Sequence, residues 1–380
     1  MEAVSAVFMV LAVLGGIYYI CSTAALVVHF CRWDKVESGD WRVEGPKISI
    51  LKPVSGADAC AKENFQSFLN LDYSNYEVLF GVLNPQDSAV PIIEDIVKQS
   101  ERAFLHVGSS IEGSNNKVRI LHNLALHAEG DIFVIADSDT RATPDFLKQI
   151  AGSLSSPDTG VVSCIYRGIN GISAADALEG LHMTCVFAPG VAAAECVTGV
   201  DFALGAALAV RRNVLEKIGG FEAIADYLAD DFQIGHRAAA VGYGVKVSQY
   251  VVDITLSKEP LINVLARELR WARTTAVSRP AGHAGLIITF GFAYALIFWL
   301  LSGFSSAGLA VVGCVTAARA LSAYTGAKVL NDREFYRRAW LLPVRDLLSF
   351  AIWIAGYMGR TVHWRGRKLR LLKDGRMRDF

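Results

Sequence analysis

Apolar positions run along this chain in three regimes. Residues 3–31 carry no Asp, Glu, Lys or Arg, a run long enough to cross a hydrocarbon core of roughly 30 Å. Glu2 precedes the run, and Arg32 and Lys35 follow it. A secretory leader has a shorter apolar region, with basic residues before it and a small-residue cleavage site after it. The flanks therefore predict a transmembrane signal anchor over 1–32. Basic residues stay on the cytoplasmic side, which puts the next domain there.

After a polar linker over 33–45 the pattern changes to short apolar runs alternating with longer amphipathic stretches. Ile48-Ser49-Ile50-Leu51 reads as a strand, as do the runs 76–82, 131–136 and 160–164, while 92–104 and 116–127 read as helices. Such alternation predicts an α/β domain over 46–260, with a mostly parallel sheet covered on both faces. Ligands of these sheets bind at the carboxyl ends of the strands, so the polar residues just past each strand carry the functional information.

The last third returns to membrane character. Residues 283–325 contain a single charged residue, Arg319, enough for two spans joined by a turn near 302–306. The stretch 339–358 is long enough to cross, but Arg345 and Asp346 interrupt it, and charges near mid-membrane are costly. It is either a re-entrant or a spanning segment within a membrane region over 283–358. The tail over 359–380 holds eight basic and two acidic residues, which favours the side of the α/β domain.

Composition narrows the class. The chain has 380 residues, 52% of them hydrophobic, and a formal net charge of zero. No basic excess points to nucleic acid. The seven cysteines are odd in number and scattered, with no CxxC pair, which fits neither a disulfide framework nor a zinc site.

Three local patterns carry chemistry. Ala136-Asp137-Ser138-Asp139-Thr140 follows a strongly apolar strand. Two carboxylates there can reach a Mg²⁺ or Mn²⁺ ion, although Asp and Ser also fill turns and cap helices. Tyr227-Leu228-Ala229-Asp230-Asp231-Phe232 places adjacent carboxylates at a helix start. One can serve as a general base with the other supporting it, or both can stabilise the helix dipole. Arg267, Arg270 and Trp271 share one face of a helix over 261–282. They can grip phosphate oxygens, or the helix can rest on anionic lipid through Leu261, Val264, Leu265 and Trp271.

In this order and spacing the patterns resemble the ceramide glucosyltransferase family, glycosyltransferase family 21, with its bacterial hopanoid-biosynthesis relatives. The likeness extends to Ser49-Ile50-Leu51-Lys52-Pro53 with Gly56, to Gly113-Ser114-Asn115-Asn116-Lys117, and to Trp364-Arg365-Gly366-Arg367-Lys368. It implies a GT-A fold with membrane helices at both ends, and a multi-pass enzyme of a bacterial inner membrane. The implied activity is inverting transfer of glucose or N-acetylglucosamine from a UDP-sugar to a lipid hydroxyl on ceramide or a hopanoid polyol.

The resemblance also implies roles. Lys52, Pro53 and Asp87 lie around the uridine, and Asn115 and Lys117 face the nucleotide or sugar. Asp137 and Asp139 hold the metal and diphosphate. Asp231 deprotonates the acceptor, with Asp230 supporting it. Arg270 and Trp271 hold the UDP diphosphate, and Arg267 supports them. His182 and His236 are read as structural or surface residues.

Other functions share parts of this set. A processive polysaccharide synthase has the same acidic and Arg-Trp elements but needs more spans to thread a polymer. A polyprenyl-phosphate sugar transferase lacks the Arg-Trp element. A membrane scaffold or transporter with a decayed enzyme domain would have lost Asp231 or the Arg-Trp pair, and both are present.

Overall fold

The computed structural model describes residues 2–31, 45–58 and 60–379. The flank Arg32 and Lys35 and the linker over 33–45, apart from Gly45, lie outside the described residues. One mixed sheet has eight strands: β1 (Ile48–Pro53), β2 (Tyr76–Val82), β3 (Ala103–Val107), β4 (Ile132–Ala136), β5 (Thr140–Arg141), β6 (Thr159–Ile169), β7 (Ala207–Arg211) and β8 (Gly244–Thr255). Their order is β3-β2-β1-β4-β7-β6-β8-β5. β1 pairs in parallel with β2 and β4, β2 with β3, and β6 with β8. β7 runs antiparallel between β4 and β6, and β5 antiparallel to β8.

Every residue of β1, β2 and β4 is buried, because both faces of this sheet are covered. Alternate side chains sort to opposite sides. Ile50, Val78, Phe80 and Val134 meet Phe65 and Phe146 on one face. Leu51, Leu79, Phe133 and Ile135 meet Leu121 and Leu124 on the other. The helix expected over 92–104 is shorter than that. It spans Val90–Val97, and Ala103–Val107 is the strand β3. The polar run Lys98-Gln99-Ser100-Glu101-Arg102 breaks the apolar period between them.

The helices that bear on the site and the membrane are α1 (Glu2–Cys31), α2 (Asn116–His127), α3 (Ala174–His182), α4 (Ala188–Thr198), α5 (Asp230–Ala240), α6 (Leu261–Ser278), α7 (Gly291–Leu301), α8 (Ser306–Val329) and α9 (Leu342–Gly356). Among the described residues four helical segments are long and apolar enough to cross a membrane: Glu2–Cys31, Ala174–Thr198, Ser306–Val329 and Phe335–Gly356. The first of the two spans expected in 283–325 is broken, since Pro280–Thr289 and Gly291–Leu301 meet at 55°. Phe290 leaves the helical region there. Beside it a Cβ on Gly15 would lie 2.3 Å from the Gly291 Cα, so two backbones touch where only glycine fits.

Ala174–Thr198 falls inside the stretch read from the sequence as wholly soluble. It is a seam. A π-helical turn, Met183–Phe187, joins α3 to α4. Ala177, Leu178, Leu181 and Cys185 pack with Ala323 and Ala327 of α8. Ala188, Val191 and Ala192 pack with Leu26 of α1 and Ile165 of β6.

Charges among these helices are paired, as desolvation demands. Arg319 donates to both oxygens of Asp346 at 2.6–3.0 Å, and to the Cys185 carbonyl at 2.8 Å. Arg345 donates to Glu268 of α6 at 2.6 and 2.8 Å. The Phe335–Gly356 segment touches the α/β domain just before its start and α6 just after its end. Glu334 accepts from the Asn170 amide at 2.7 Å, and Arg273 donates to the Met358 carbonyl at 2.8 Å.

The tail forms a three-stranded antiparallel sheet, β9 (Thr361–Trp364), β10 (Arg367–Leu371) and β11 (Met377–Asp379). Val362, Leu369, Leu371 and Met377 pack on Leu228 of the α/β domain. The tail is thus packed against the α/β domain.

Candidate functional site

β4 delivers its carboxyl end to a tight turn. The Asp137 amide donates to the Ala206 carbonyl at 3.0 Å, and the Thr140 amide to the Asp137 carbonyl at 3.2 Å. Lys52 lies beneath this turn. It is wholly buried, donates to the Asp137 carbonyl at 2.9 Å and to Thr140 Oγ1 at 3.3 Å, and sits 3.8 Å from the Phe68 ring centroid. Burial pulls its pKa down to about 7, against the pull of Asp139 and Asp137. The ammonium expected at the uridine is committed to holding the metal-type turn from below. Pro53 closes β1 beside Gly81 and is buried as well.

The turn leaves its two carboxylates together. Asp139 is raised to about 6 by burial, then by Asp137 and Asp58. Like charges this close repel unless a cation lies between them. The donor set of Asp137 and Asp139, all carboxylate oxygen at an open strand end, fits a Mg²⁺ or Mn²⁺ ion that takes its remaining ligands from water and a diphosphate. Among the described residues no cluster of three acidic, His or Cys side chains forms a closed metal cage.

Lys117, in the first turn of α2, ties the two acidic pairs together. Its Nζ lies 2.7 Å from Asp137 Oδ1 and 3.4 Å from Asp230 Oδ2. Burial opposes the charge, but Asp137, Asp230 and Asp231 outweigh it and hold the pKa above its ordinary value. Asn115 caps α2: its side chain accepts from the Val118 amide at 3.2 Å and donates to the Tyr227 carbonyl at 2.7 Å. It is fully buried, so it fastens the Lys117 loop to the Asp230–Asp231 loop from the interior.

α5 begins at Asp230, behind Ala229, which supplies no side-chain cap. Asp230 is 6% exposed. The Asp231 carboxylate accepts from the Phe232 amide at 2.8 Å. Its room comes from the turn before β7: a Cβ on Gly205 would stand 2.6 Å from Asp231 Oδ2. Burial and then Asp230 push Asp231 up to about 6. Tyr166, on β6, feels Asp231, Asp137 and Asp139, and burial keeps its phenol protonated as a donor. Sequence reading missed Gly205, Tyr166 and Asp58, because none of them belongs to a motif and only the fold brings them here.

The arginines of α6 divide. Arg267 donates to Glu179 at 2.9 and 2.8 Å and pairs with Glu259 at 3.0 Å. Its charge is answered inside the protein. Arg270 forms no ion pair among the described residues, and its guanidinium lies 5.6 Å from the Trp364 ring centroid. Burial and then Arg267 lower its pKa to about 10, while Asp137, Asp231 and Asp230 pull the other way. It stays charged and open to an anion beside both acidic pairs. Trp271 stacks on His182, centroids 6.2 Å apart.

Asp87 stands further out. Its carboxylate accepts from the Gly56 amide at 3.0 and 2.9 Å and from Ala89 at 2.9 Å, pinning the loop after β1 to the loop after β2. His236 is half exposed, 3.7 Å from Asp201, and has the surface setting expected of it.

The chain can be set beside known proteins. A family model described as glycosyl transferase family 21 matches residues 7–377. Ceramide glucosyltransferase 1 of Caenorhabditis elegans is 23% identical over 364 residues, covering 88% of this chain and 73% of that protein. Ceramide glucosyltransferase 3 of the same organism is 22% identical, covering 87% and 74%. Among solved structures, the mannosyltransferase PcManGT from Pyrobaculum calidifontis, in complex with GDP-Man and Mn²⁺, has a TM-score of 0.51. It is 20% identical, with 92% of this chain and 98% of that chain covered, a likeness of GT-A fold.

Proposed function

Because the chain belongs to glycosyl transferase family 21, we propose that this glycosyltransferase moves glucose or N-acetylglucosamine from a UDP-sugar to a hydroxyl of a membrane lipid, ceramide or a hopanoid polyol. The convergence of both acidic pairs on Lys117 carries this reading. It brings the two carboxylate pairs to one point, with Arg270, which forms no ion pair among the described residues, beside them.

In this scheme Asp231 takes the proton of the acceptor hydroxyl as that oxygen attacks the anomeric carbon, and UDP departs on the opposite face, giving inversion. A carboxylate raised to about 6 is a better base than an ordinary one and is still ionised at neutral pH. Arg270 and Lys117 supply positive charge to the diphosphate as it leaves, the kind of fixed electrostatic help that dominates such reactions. A divalent ion held by Asp137 and Asp139 would add screening of the same diphosphate. Lys52 and Asn115 keep the two loops in register, Pro53 and Asp87 shape the uridine end, and Asp230 supports Asp231.

The similarity to ceramide glucosyltransferases supports a lipid acceptor, and the seam helices α3 and α4 pack against the membrane-type helices α8 and α1. In this scheme the chain divides into an anchor over 1–32, a GT-A domain over 46–260, an interfacial helix over 261–282, a membrane region over 283–358 and a tail over 359–380. The catalytic domain faces the cytoplasm.

Mass spectrometry of lipids tests this. Membranes with wild type or Asp231→Asn receive both UDP-sugars with mixed ceramide and hopanoid-polyol acceptors. A new glycolipid from wild type alone supports the proposal, and its mass names sugar and acceptor. UDP release with polymer formation would move the reading to a processive synthase. No product and no UDP release would leave a non-catalytic membrane protein.

A further inference from the structure

The carboxyl-terminal sheet touches three segments that carry the site: the helix-start loop, the Lys117 loop and α6. At the helix-start loop, the Met377 amide donates to the Asp226 carbonyl at 2.7 Å and the Leu228 amide to the Gly375 carbonyl at 3.3 Å. Tyr227 and Arg376 form an antiparallel bridge between these two bonds. Asp230 and Asp231 follow three and four positions after Tyr227, so an added strand anchors the backbone leading into the base.

At the Lys117 loop, Ser114 Oγ donates to the Met377 carbonyl at 3.1 Å. Arg367 donates to the Ser114 carbonyl at 3.0 Å and to Asn116 Oδ1 at 3.3 Å. Two bonds to Asp379, at 2.7 Å each, hold the Arg367 fork in place. At α6, Arg273 donates to the Thr361 carbonyl, and Val277 and Trp364 flank the apolar face of the sheet. The Trp364 ring lies 5.6 Å from the Arg270 guanidinium, inside the range where an aromatic face attracts a cation.

The two faces of this sheet differ. Val362, Leu369, Leu371 and Met377 are at most 2% exposed, whereas Lys368, Arg370 and Arg378 point outward. A basic tail that only coated a lipid surface would need none of the inward bonds.

Resting on the glycosyltransferase reading above, we infer that the tail sheet is a built-in brace of the donor site, with Trp364 the positioning residue for Arg270. Trp364 touches neither substrate. It fixes the plane of the one α6 guanidinium left for the diphosphate, while β10 and β11 lock the Lys117 and Asp231 loops to each other.

Isothermal titration of UDP with Mn²⁺ into the full-length, detergent-purified protein tests this without any acceptor. Trp364→Leu weakens UDP binding about tenfold, the scale of one desolvated cation–aromatic contact, and Trp364→Tyr restores most of it. Arg378→Gln, on the outer face, leaves UDP binding unchanged. In turnover assays Trp364→Leu raises KM for the UDP-sugar and not for the lipid. Wild-type-like UDP binding by Trp364→Leu overturns the inference. So does an equal loss in Trp364→Leu, Trp364→Tyr and Arg378→Gln, since that is the mark of general destabilisation. A wild type that binds UDP yet glycosylates no lipid sinks the acceptor assignment alone, and the UDP comparison still decides the brace. A wild type that binds no UDP overturns both.

Discussion

The Asp137–Asp139 turn and the Asp230–Asp231 helix start carry the same side chains, and the fold treats them differently. The first pair ends β4 in a turn, with Asp137 and Asp139 both part-buried. It has Lys52 beneath it and Lys117 2.7 Å from Asp137. The second pair opens α5, with Asp230 buried and Asp231 part-buried. Asp230 is 6% exposed, and Asp231 sits against the bare Cα of Gly205. Cations gathered around the first pair suit a site that receives a charged donor. A carboxylate at a helix start, with a like-charged neighbour and room left by Gly205, suits a proton acceptor. Position, and not residue type, separates the two jobs.

The hardest blow to this contrast is Asp231→Asn. Turnover falls by about 10²–10⁴-fold, the range for general acid–base groups, while UDP binding with Mn²⁺ persists. A variant that keeps its turnover at equal protein level would give the base role to another group. Asp137→Asn should do the reverse, losing UDP and Mn²⁺ binding along with on the order of 10²-fold in activity. Calorimetric titration separates the two variants. If both weaken UDP equally, the pairs are one site and the division fails.

Gly205→Ala sharpens the second half of the contrast. Its methyl group would lie 2.6 Å from Asp231 Oδ2, and displacing a reacting carboxylate by about 1 Å can cost up to about 10²-fold. The expected signature is a lower kcat with UDP affinity unchanged. A normal kcat would show that the carboxylate has another productive position.

The smallest effect is in pH dependence. Asp231 must be ionised to accept a proton, and burial with Asp230 raises it to about 6. Above that pH the base is present. As pH falls through about 6 it is protonated, and kcat declines about tenfold per unit on the acid side. Asp230→Asn removes the like charge, so Asp231 ionises more readily and the acid limb moves to lower pH. An unmoved limb would assign it to a different group.

Much of the fold was legible along the chain. β1, β2, β4 and β6 stood out as apolar runs, α2 began and ended where its amphipathic period did, and the turn between α7 and α8 fell near 302–306 as expected. β7 was not legible. Ala207-Leu208-Ala209-Val210-Arg211 sits in an alanine-rich stretch with weak strand preference, and its pairing with β4 and β6 makes it a strand. The broken helix at Phe290 was hidden too, because hydropathy measures length and not the close approach of Gly15 to Gly291.

The site divides the same way. Asp137, Lys117, Asp231 and Arg270 were all marked by motif, and they meet. Arg267 belongs to the same motif, yet Glu179 and Glu259 neutralise it from outside the helix. Lys52 was expected at the uridine and is buried under a turn 85 positions further along the chain.

Residue type and spacing alone determined that this chain has an N-terminal helix long and apolar enough to cross a membrane, an α/β domain, two acidic motifs, an Arg-Trp helix and a basic tail. Those properties reside in neighbours along the chain, where periodicity and charge can be read directly. Only the tertiary structure decided which charges are spent on internal partners, that Gly205 makes room for Asp231, and that the tail folds back to brace Ser114, Tyr227 and Arg270. Each of these rests on contacts between distant segments. Burial makes such contacts strong by stripping water from them, and no local pattern encodes them.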